Sequence, residues 1–67
     1  MYRFREDMVE IKKKFNQTYA SKIIGLAVPT LSNILNSKVL CRKVVAYSIT
    51  KYIDKDADIE DYFIKEN

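Results

Sequence analysis

Side chains able to carry out catalysis are scarce in this chain. It contains no histidine and a single cysteine, Cys41, so it has no Ser-His or Cys-His nucleophile and its one thiol cannot hold a structural zinc ion. Its carboxylates cluster late in the sequence, at Asp54, Asp56, Asp58, Glu60 and Asp61. They lack the glycine and spacing of a calcium loop, and acids at the start of a helix suit the helix dipole. We therefore expect no enzymatic activity, metal, cofactor or small-molecule substrate.

Basic residues are concentrated in the larger, first part of the chain. Residues 1–53 carry ten Lys or Arg against three acids, a net charge of +7, and residues 54–67 carry two against six, a net charge of −4. The sum is the overall +3. A basic body with an acidic tail favours a polyanion as the partner of the body, although lysines that only keep a small domain in solution would give the same composition.

The length of 67 residues predicts one domain over residues 1–67. So short a chain buries only ~60% of its extended surface, and pairing with a second copy would hide more of it. The longest apolar run, residues 23–28, is far below the ~20 residues that span a bilayer. The lone Cys41 cannot form an internal disulfide. We expect a cytoplasmic protein without a membrane partner.

Apolar residues at helical spacing predict the first helix. Phe4, Met8, Ile11 and Phe15 follow one another at steps of four, three and four. This spacing places them on one face of a helix over residues 4–14.

Local start and stop signals predict the next two helices. Asn16 is a typical N-cap for a helix over residues 17–24, which Gly25 ends. Pro29 begins a third helix that continues to Leu35, since proline is favoured in the first helical turn.

Residues 36–38 predict a turn, followed by a fourth helix over residues 42–53 and a short acidic one over residues 57–63. Period-two alternation nowhere exceeds four residues, so we expect no strand. The predicted fold class is all-α, a compact bundle of four to five helices.

Residues 17–38 contain the features that two steeply crossing helices require. A small residue stands four positions before the only glycine, an apolar residue follows it, and two apolar anchors stand six and nine positions after it. With the glutamine that opens the segment, these positions are Gln17, Ser21, Gly25, Leu26, Leu31 and Ile34.

This spacing resembles the helix-turn-helix of the phage Cro and Xre repressor family. Residues 34–38, where the third helix ends, and the aromatic residues Tyr62 and Phe63 near the end of the sequence are also similar to that family. The resemblance implies a lambda-repressor-like fold and sequence-specific binding of double-stranded DNA by a transcriptional regulator of a phage or another mobile element. It also implies a homodimer that is associated with the nucleoid.

The resemblance places the base contacts at the start of the third helix, at Val28, Pro29, Thr30, Ser32 and Asn33. Relatives often carry Gln or Ser where this chain has Val28 and Pro29, so its leading edge could touch a thymine methyl but not hydrogen-bond to a base. Hydrogen bonds then fall to Asn33, Ser32 and Thr30, with Asn33 suited to adenine.

Contacts to phosphate are expected from helix N-termini and from basic residues. The resemblance places the start of the second helix on the DNA backbone, and basic residues open the fourth helix. The residues expected to contact phosphate are Asn16, Gln17, Thr18, Lys22, Asn36, Lys38, Arg42 and Lys43.

A protein-interaction module on the same scaffold is the alternative, because a fold does not fix a function. It would be an antirepressor, an inhibitor or an antitoxin-like protein without base reading, with Val28 and Pro29 in a contact patch. Val44, Tyr47 and Lys51 share one side of the fourth helix and form a candidate self-association face, with partial burial within the monomer as the alternative.

Overall fold

The computed structural model describes residues 1–14 and 16–66, without the side chains of Val9 and Lys12. Phe15, which was predicted on the apolar face of the first helix, lies outside the described residues, as does Asn67. In chain order the elements are β1 (Tyr2–Phe4), a 3-10 helix (Glu6–Lys14), α1 (Gln17–Ile24), α2 (Val28–Leu35), α3 (Lys43–Ile53), α4 (Ile59–Tyr62) and β2 (Phe63–Lys65).

The fold is mixed α/β, so the predicted all-α bundle is wrong. The two strands form an antiparallel sheet in which Tyr2 faces Lys65, Arg3 faces Ile64 and Phe4 faces Phe63. Three residues are too few to display the alternation that identifies a strand, and the two segments lie at opposite ends of the described chain. The strands therefore depend on a non-local pairing that sequence periodicity does not reveal.

Both predicted terminal helices change as a result. The helix predicted over residues 4–14 is a strand up to Phe4 and then a 3-10 helix, which still packs Met8 and Ile11 against the core. The helix predicted over residues 57–63 is limited to α4, because Phe63 takes an extended conformation with φ −130° and begins β2.

The structure confirms the predicted bounds of the three central helices to within one residue at each end. Asn16 caps α1, Gly25 ends it, and Pro29 stands in the first turn of α2. The third of these helices, α3, begins one residue later than predicted, at Lys43. None of the helices within residues 1–14 and 16–66 is both long and apolar enough to cross a membrane.

The core joins the sheet to α2 and α3. Phe4 and Phe63 are buried and meet edge to face, with their ring centroids 5.1 Å apart. They belong to one apolar cluster with Leu31 and Leu35 of α2 and Ile49 of α3. The sheet thus supports the inner side of α2 and leaves its other side available to solvent.

Candidate nucleic-acid interface

The first of the two helices joined by Gly25, α1, is capped at its start by a side chain. The Tyr19 backbone N–H donates to Asn16 Oδ1 at 3.0 Å, which satisfies one of the amides left without a partner at a helix start. Ser21 is buried, and its hydroxyl donates to the Thr18 carbonyl at 2.8 Å. Serine is therefore accommodated where α1 packs closely, and its polar group remains satisfied.

Gly25 makes the bend between the two helices. Its backbone is left-handed, with φ 90° and ψ 30°, a conformation that glycine adopts without steric cost. The N–H groups of Gly25 and Leu26 both donate to the Ser21 carbonyl, at 2.8 and 3.0 Å. The chain thus leaves α1 within two residues, and α2 begins as a separate helix at Val28.

The second helix has one buried side and one exposed side. Leu31, Ile34 and Leu35 face the core, with 0%, 3% and 0% of their surface exposed. Of the five residues predicted to contact bases, four are exposed to solvent and one is half-buried. The exposed four are Val28, Pro29, Thr30 and Asn33.

Ser32, the half-buried member of that set, is engaged within the protein. Asn36 Nδ2 donates to the Ser32 carbonyl at 2.9 Å and to Ser32 Oγ at 3.3 Å. The Ser32 hydroxyl and the Asn36 amide are therefore directed towards each other. Ser32 was predicted to contact a base and Asn36 a phosphate, so their pairing is a feature that the sequence did not reveal.

Ser37 ends α2 in a way that sequence reasoning missed. Its φ is 61°, its N–H donates to the Ile34 carbonyl, and the Lys38 N–H donates to the Asn33 carbonyl, each at 3.0 Å. This is the Schellman arrangement, whose left-handed position usually holds glycine. The Ser37 hydroxyl donates to the Phe4 carbonyl at 2.6 Å. The end of α2 is thereby attached to β1, and Lys38 is held beside the last turn of α2.

The stretch of the chain that contains α2 carries only positive charge. Residues 16–53 contain five basic residues and no acid, and the four predicted to contact phosphate are all exposed, namely Lys22, Lys38, Arg42 and Lys43. Arg42 is the N-cap residue of α3 but makes no side-chain capping bond. At the start of α1, Asn16 and Thr18 are exposed and Gln17 is half-buried.

Basic residues near the start of the chain are used differently. Arg3, Arg5 and Lys13 form ion pairs with Glu66, Asp7 and Glu10. The Arg3 guanidinium holds Glu66 through two bonds of 2.7 and 3.0 Å. That hydrogen bonding raises the pKa of Arg3 and lowers the pKa of Glu66. These cations are paired within the protein, whereas the four predicted to contact phosphate are exposed.

The cysteine thiol is buried, and two of the clustered carboxylates accept hydrogen bonds within the protein. Burial raises the pKa of the Cys41 thiol to about 11, so the thiol stays protonated at neutral pH. In the acidic segment, Asp54 Oδ1 accepts from the Asp56 N–H and Asp61 Oδ2 accepts from the Asp58 N–H. The part of the chain that is described contains no group of three His, Cys, Asp or Glu residues arranged to hold a metal ion.

Comparison of the chain with protein-family models, curated proteins and solved structures finds no match. The site is thus defined by its own geometry. It consists of two helices, α1 and α2, joined by the Gly25 bend, and α2 exposes Val28, Pro29, Thr30 and Asn33 within a stretch of the chain that contains no acid.

Proposed function

We propose that the protein binds double-stranded DNA as a sequence-specific transcriptional regulator and carries out no catalysis. The observation that carries the proposal is the placement of α2. This helix follows the Gly25 bend, is anchored by three buried apolar residues and directs its other side to solvent within an acid-free stretch of the chain. An exposed helix of this kind fits the major groove of B-DNA.

Base reading is assigned chiefly to Asn33 and Thr30. An asparagine amide can donate from Nδ2 to adenine N7 and accept at Oδ1 from the adenine N6 amino group, which makes Asn33 suited to adenine. Val28 and Pro29 supply apolar contact to thymine methyl groups. Ser32 contributes less, because its hydroxyl already accepts from Asn36.

Phosphate binding is assigned to the exposed cations and to the start of α1. Lys22, Lys38, Arg42 and Lys43 would neutralise backbone charge and set the affinity without reading sequence. The backbone amides that begin α1 would add contacts favoured by the helix dipole.

A homodimer accords with the small number of base-reading groups on each chain. Two copies on half-sites about 10 base pairs apart would multiply a modest individual preference. The resemblance to Cro and Xre repressors supports this arrangement, an origin in a phage or another mobile element, and a location on the cytoplasmic nucleoid.

The test is binding to duplexes selected from a random pool, followed by fluorescence anisotropy at several salt concentrations. Neutralisation of four phosphates by each chain predicts a log–log slope of about −3.6 for each bound chain, at about −0.9 for each phosphate. Asn33→Ala should reduce discrimination against the wrong base by ~1–3 kcal/mol. Lys38→Ala should weaken all sequences alike, and Lys55→Ala, in the acidic segment, is the matched control that should change little.

The exposed apolar edge at Val28 favours one alternative, a protein-interaction module without base reading. Val28 is 39% exposed and adjoins the exposed Pro29. No duplex affinity at low salt, together with salt-insensitive binding to a protein, would establish that alternative. Equal behaviour of Asn33→Ala and Lys38→Ala on selected and random DNA would overturn the roles assigned to the two residues.

A further inference from the structure

Ser32 differs from the other three serines of the chain in how its hydroxyl is bonded. The hydroxyls of Ser21, Ser37 and Ser48 each donate to a backbone carbonyl, at 2.8, 2.6 and 2.9 Å. Ser32 Oγ instead lies 3.3 Å from Asn36 Nδ2, which donates to it. Within residues 1–14 and 16–66, no carbonyl or carboxylate accepts the Ser32 hydroxyl hydrogen. This hydrogen is therefore left to donate to a partner outside the chain.

The orientation of the Asn36 amide is fixed by a second bond. Asn36 Nδ2 also lies 2.9 Å from the Ser32 backbone carbonyl. A carbonyl oxygen can only accept, so the nitrogen of the amide and not its oxygen must face Ser32. Ser32 Oγ then acts as the acceptor of its bond to Asn36, and the hydroxyl hydrogen is directed away from the amide. Asn36 thus leaves Ser32 as a hydrogen-bond donor.

The nearest side chains to Ser32 on the outer side of α2 are apolar. Val28 stands four residues before Ser32 and Pro29 three residues before it, and this spacing places all three on one side of the helix. Val28 and Pro29 are exposed, and Ser32 is half-buried. This side of α2 therefore offers an apolar surface and, one helical turn further on, a single donor.

Among the base edges of the major groove, thymine matches this combination. Thymine presents a methyl group together with the O4 acceptor, whereas cytosine presents an amino donor and no methyl group. Adenine and guanine also lack the methyl group. Opposite the cytosine amino group, the Ser32 hydroxyl would keep its hydrogen without an acceptor in an interface from which water is excluded, and an unsatisfied donor there is unfavourable.

We propose that Asn36 orients the Ser32 hydroxyl to donate to O4 of a thymine whose methyl group contacts Val28. This assignment rests on the proposed function, since it specifies how α2 recognises one base of the bound DNA. Ser32 contacts the base, and Asn36 is a positioning residue that acts through Ser32. The phosphate contact that the sequence predicts for Asn36 is replaced by this role.

The test uses four bases that separate the methyl group from the acceptor. Thymine has both, uracil lacks the methyl group, 5-methylcytosine has the methyl group but an amino donor in place of O4, and cytosine lacks both. Each thymine of a duplex selected from the random pool is replaced in turn, with its complementary base where pairing requires it. Fluorescence anisotropy should find one position at which the wild type binds thymine about tenfold more tightly than 5-methylcytosine and about threefold more tightly than uracil.

Two variants separate the contact to O4 from the contact to the methyl group. Ser32→Ala should abolish the preference for thymine over 5-methylcytosine and keep the preference over uracil, and Val28→Ala should do the reverse. The complement of 5-methylcytosine is guanine, so the effect assigned to Ser32 is only the part of the preference that Ser32→Ala removes. Ser48→Ala is the matched control, because it removes the hydroxyl of another half-buried helical serine and should leave both preferences unchanged.

Variants of Asn36 test its positioning role. In Asn36→Ala the hydroxyl is released to donate to the Val28 carbonyl of its own helix, so the preference for thymine over 5-methylcytosine should be lost, with no further loss in the double variant with Ser32→Ala. Asn36→Asp keeps the shape of the side chain but only accepts, so it should attract the hydroxyl hydrogen and lower this preference below that of Ser32→Ala. Its added negative charge should weaken binding to every sequence alike.

Three results would overturn the assignment. They are a wild type that binds thymine and 5-methylcytosine equally at every position, a preference that survives Ser32→Ala, and an Asn36→Ala variant that loses the same factor of affinity for all four bases. The last result would give Asn36 a structural role only. Absence of duplex binding by the wild type would refute the proposed function together with this assignment, whereas duplex binding without the preference would refute the assignment alone.

Discussion

Ser37 combines an unfavourable backbone conformation with a buried hydrogen bond, and substitution can separate the two. Ser37→Ala keeps the left-handed φ of 61° and leaves the Phe4 carbonyl without the hydroxyl that donates to it. We expect a loss of about 1–2 kcal/mol in the free energy of unfolding, measured by urea denaturation. Ser37→Gly loses the same bond but relieves about 1 kcal/mol of backbone cost, so it should be more stable than the alanine variant. The reverse order would refute this account.

Thr50 presents the opposite situation, a buried hydroxyl without a bond. Its side chain is fully buried in α3, and Oγ1 has no hydrogen-bond partner among the residues described. Thr50→Val replaces the hydroxyl by a methyl group of similar size and should stabilise the protein by about 1 kcal/mol. For so small a domain this corresponds to a rise in Tm of about 4–8 °C. Thr50→Ser keeps the hydroxyl and loses the methyl group, so it is the control and should lower the Tm. A valine variant less stable than the wild type would show that the Thr50 hydroxyl has a hydrogen-bond partner after all.

At the scale of elements, the bend between α1 and α2 depends on the backbone of Gly25. A Cβ added there meets nothing within 4 Å, so the cost of a side chain comes from the φ of 90° alone. Gly25→Ala should lower the free energy of unfolding by about 1–2 kcal/mol. Gly25→Asn is the matched control and should cost less, because asparagine tolerates the left-handed region better. Equal losses in thermal unfolding would show that conformation is not what requires glycine.

Elements with local signals could be predicted, and elements without them could not. The helices α1 and α2 have a cap at Asn16, a stop at Gly25 and a start at Pro29, each acting within a few residues. The strands consist of three residues each and exist because Phe4 and Phe63 pair across the whole described chain. That pairing requires the folded core, so the all-α prediction failed at both ends.

The same distinction applies to the site. Helical spacing separated the buried anchors of α2 from its exposed side, and four of the five residues assigned to bases lie exposed. It did not reveal that Ser32 and Asn36 bond to each other, since both were considered only as partners for DNA. Val44, Tyr47 and Lys51 were grouped from the sequence, but it did not reveal that Tyr47 and Lys51 line a cleft together with Ile23 of α1, which tertiary packing brings there.

At the scale of the whole molecule, the two strands near the ends of the described chain together support α2 and α3. The edge of β1 away from β2 pairs with the loop before α3, where Tyr2 and Cys41 exchange backbone bonds of 2.7 and 2.8 Å. The other edge pairs with β2, which the Arg3–Glu66 ion pair holds in place. Loosening β2 would therefore weaken the support of α2 and α3 without altering either helix.

The Arg3–Glu66 ion pair should make that support dependent on pH. The hydrogen bond from Arg3 lowers the pKa of Glu66 below its ordinary value of 4.5. A carboxyl whose pKa is lower in the folded state stabilises fully above the unfolded pKa, and this stabilisation is lost as the pH falls through the folded pKa. Wild-type protein should therefore have a higher Tm than Glu66→Gln at pH 6–7, and the gap should close as the pH is lowered below about 4.5. Glu60→Gln, which removes an exposed carboxylate of α4 outside the sheet, is the control and should show no such closing gap. A gap between wild type and Glu66→Gln that persists at low pH would mean that the glutamine disturbs the sheet by some means other than charge.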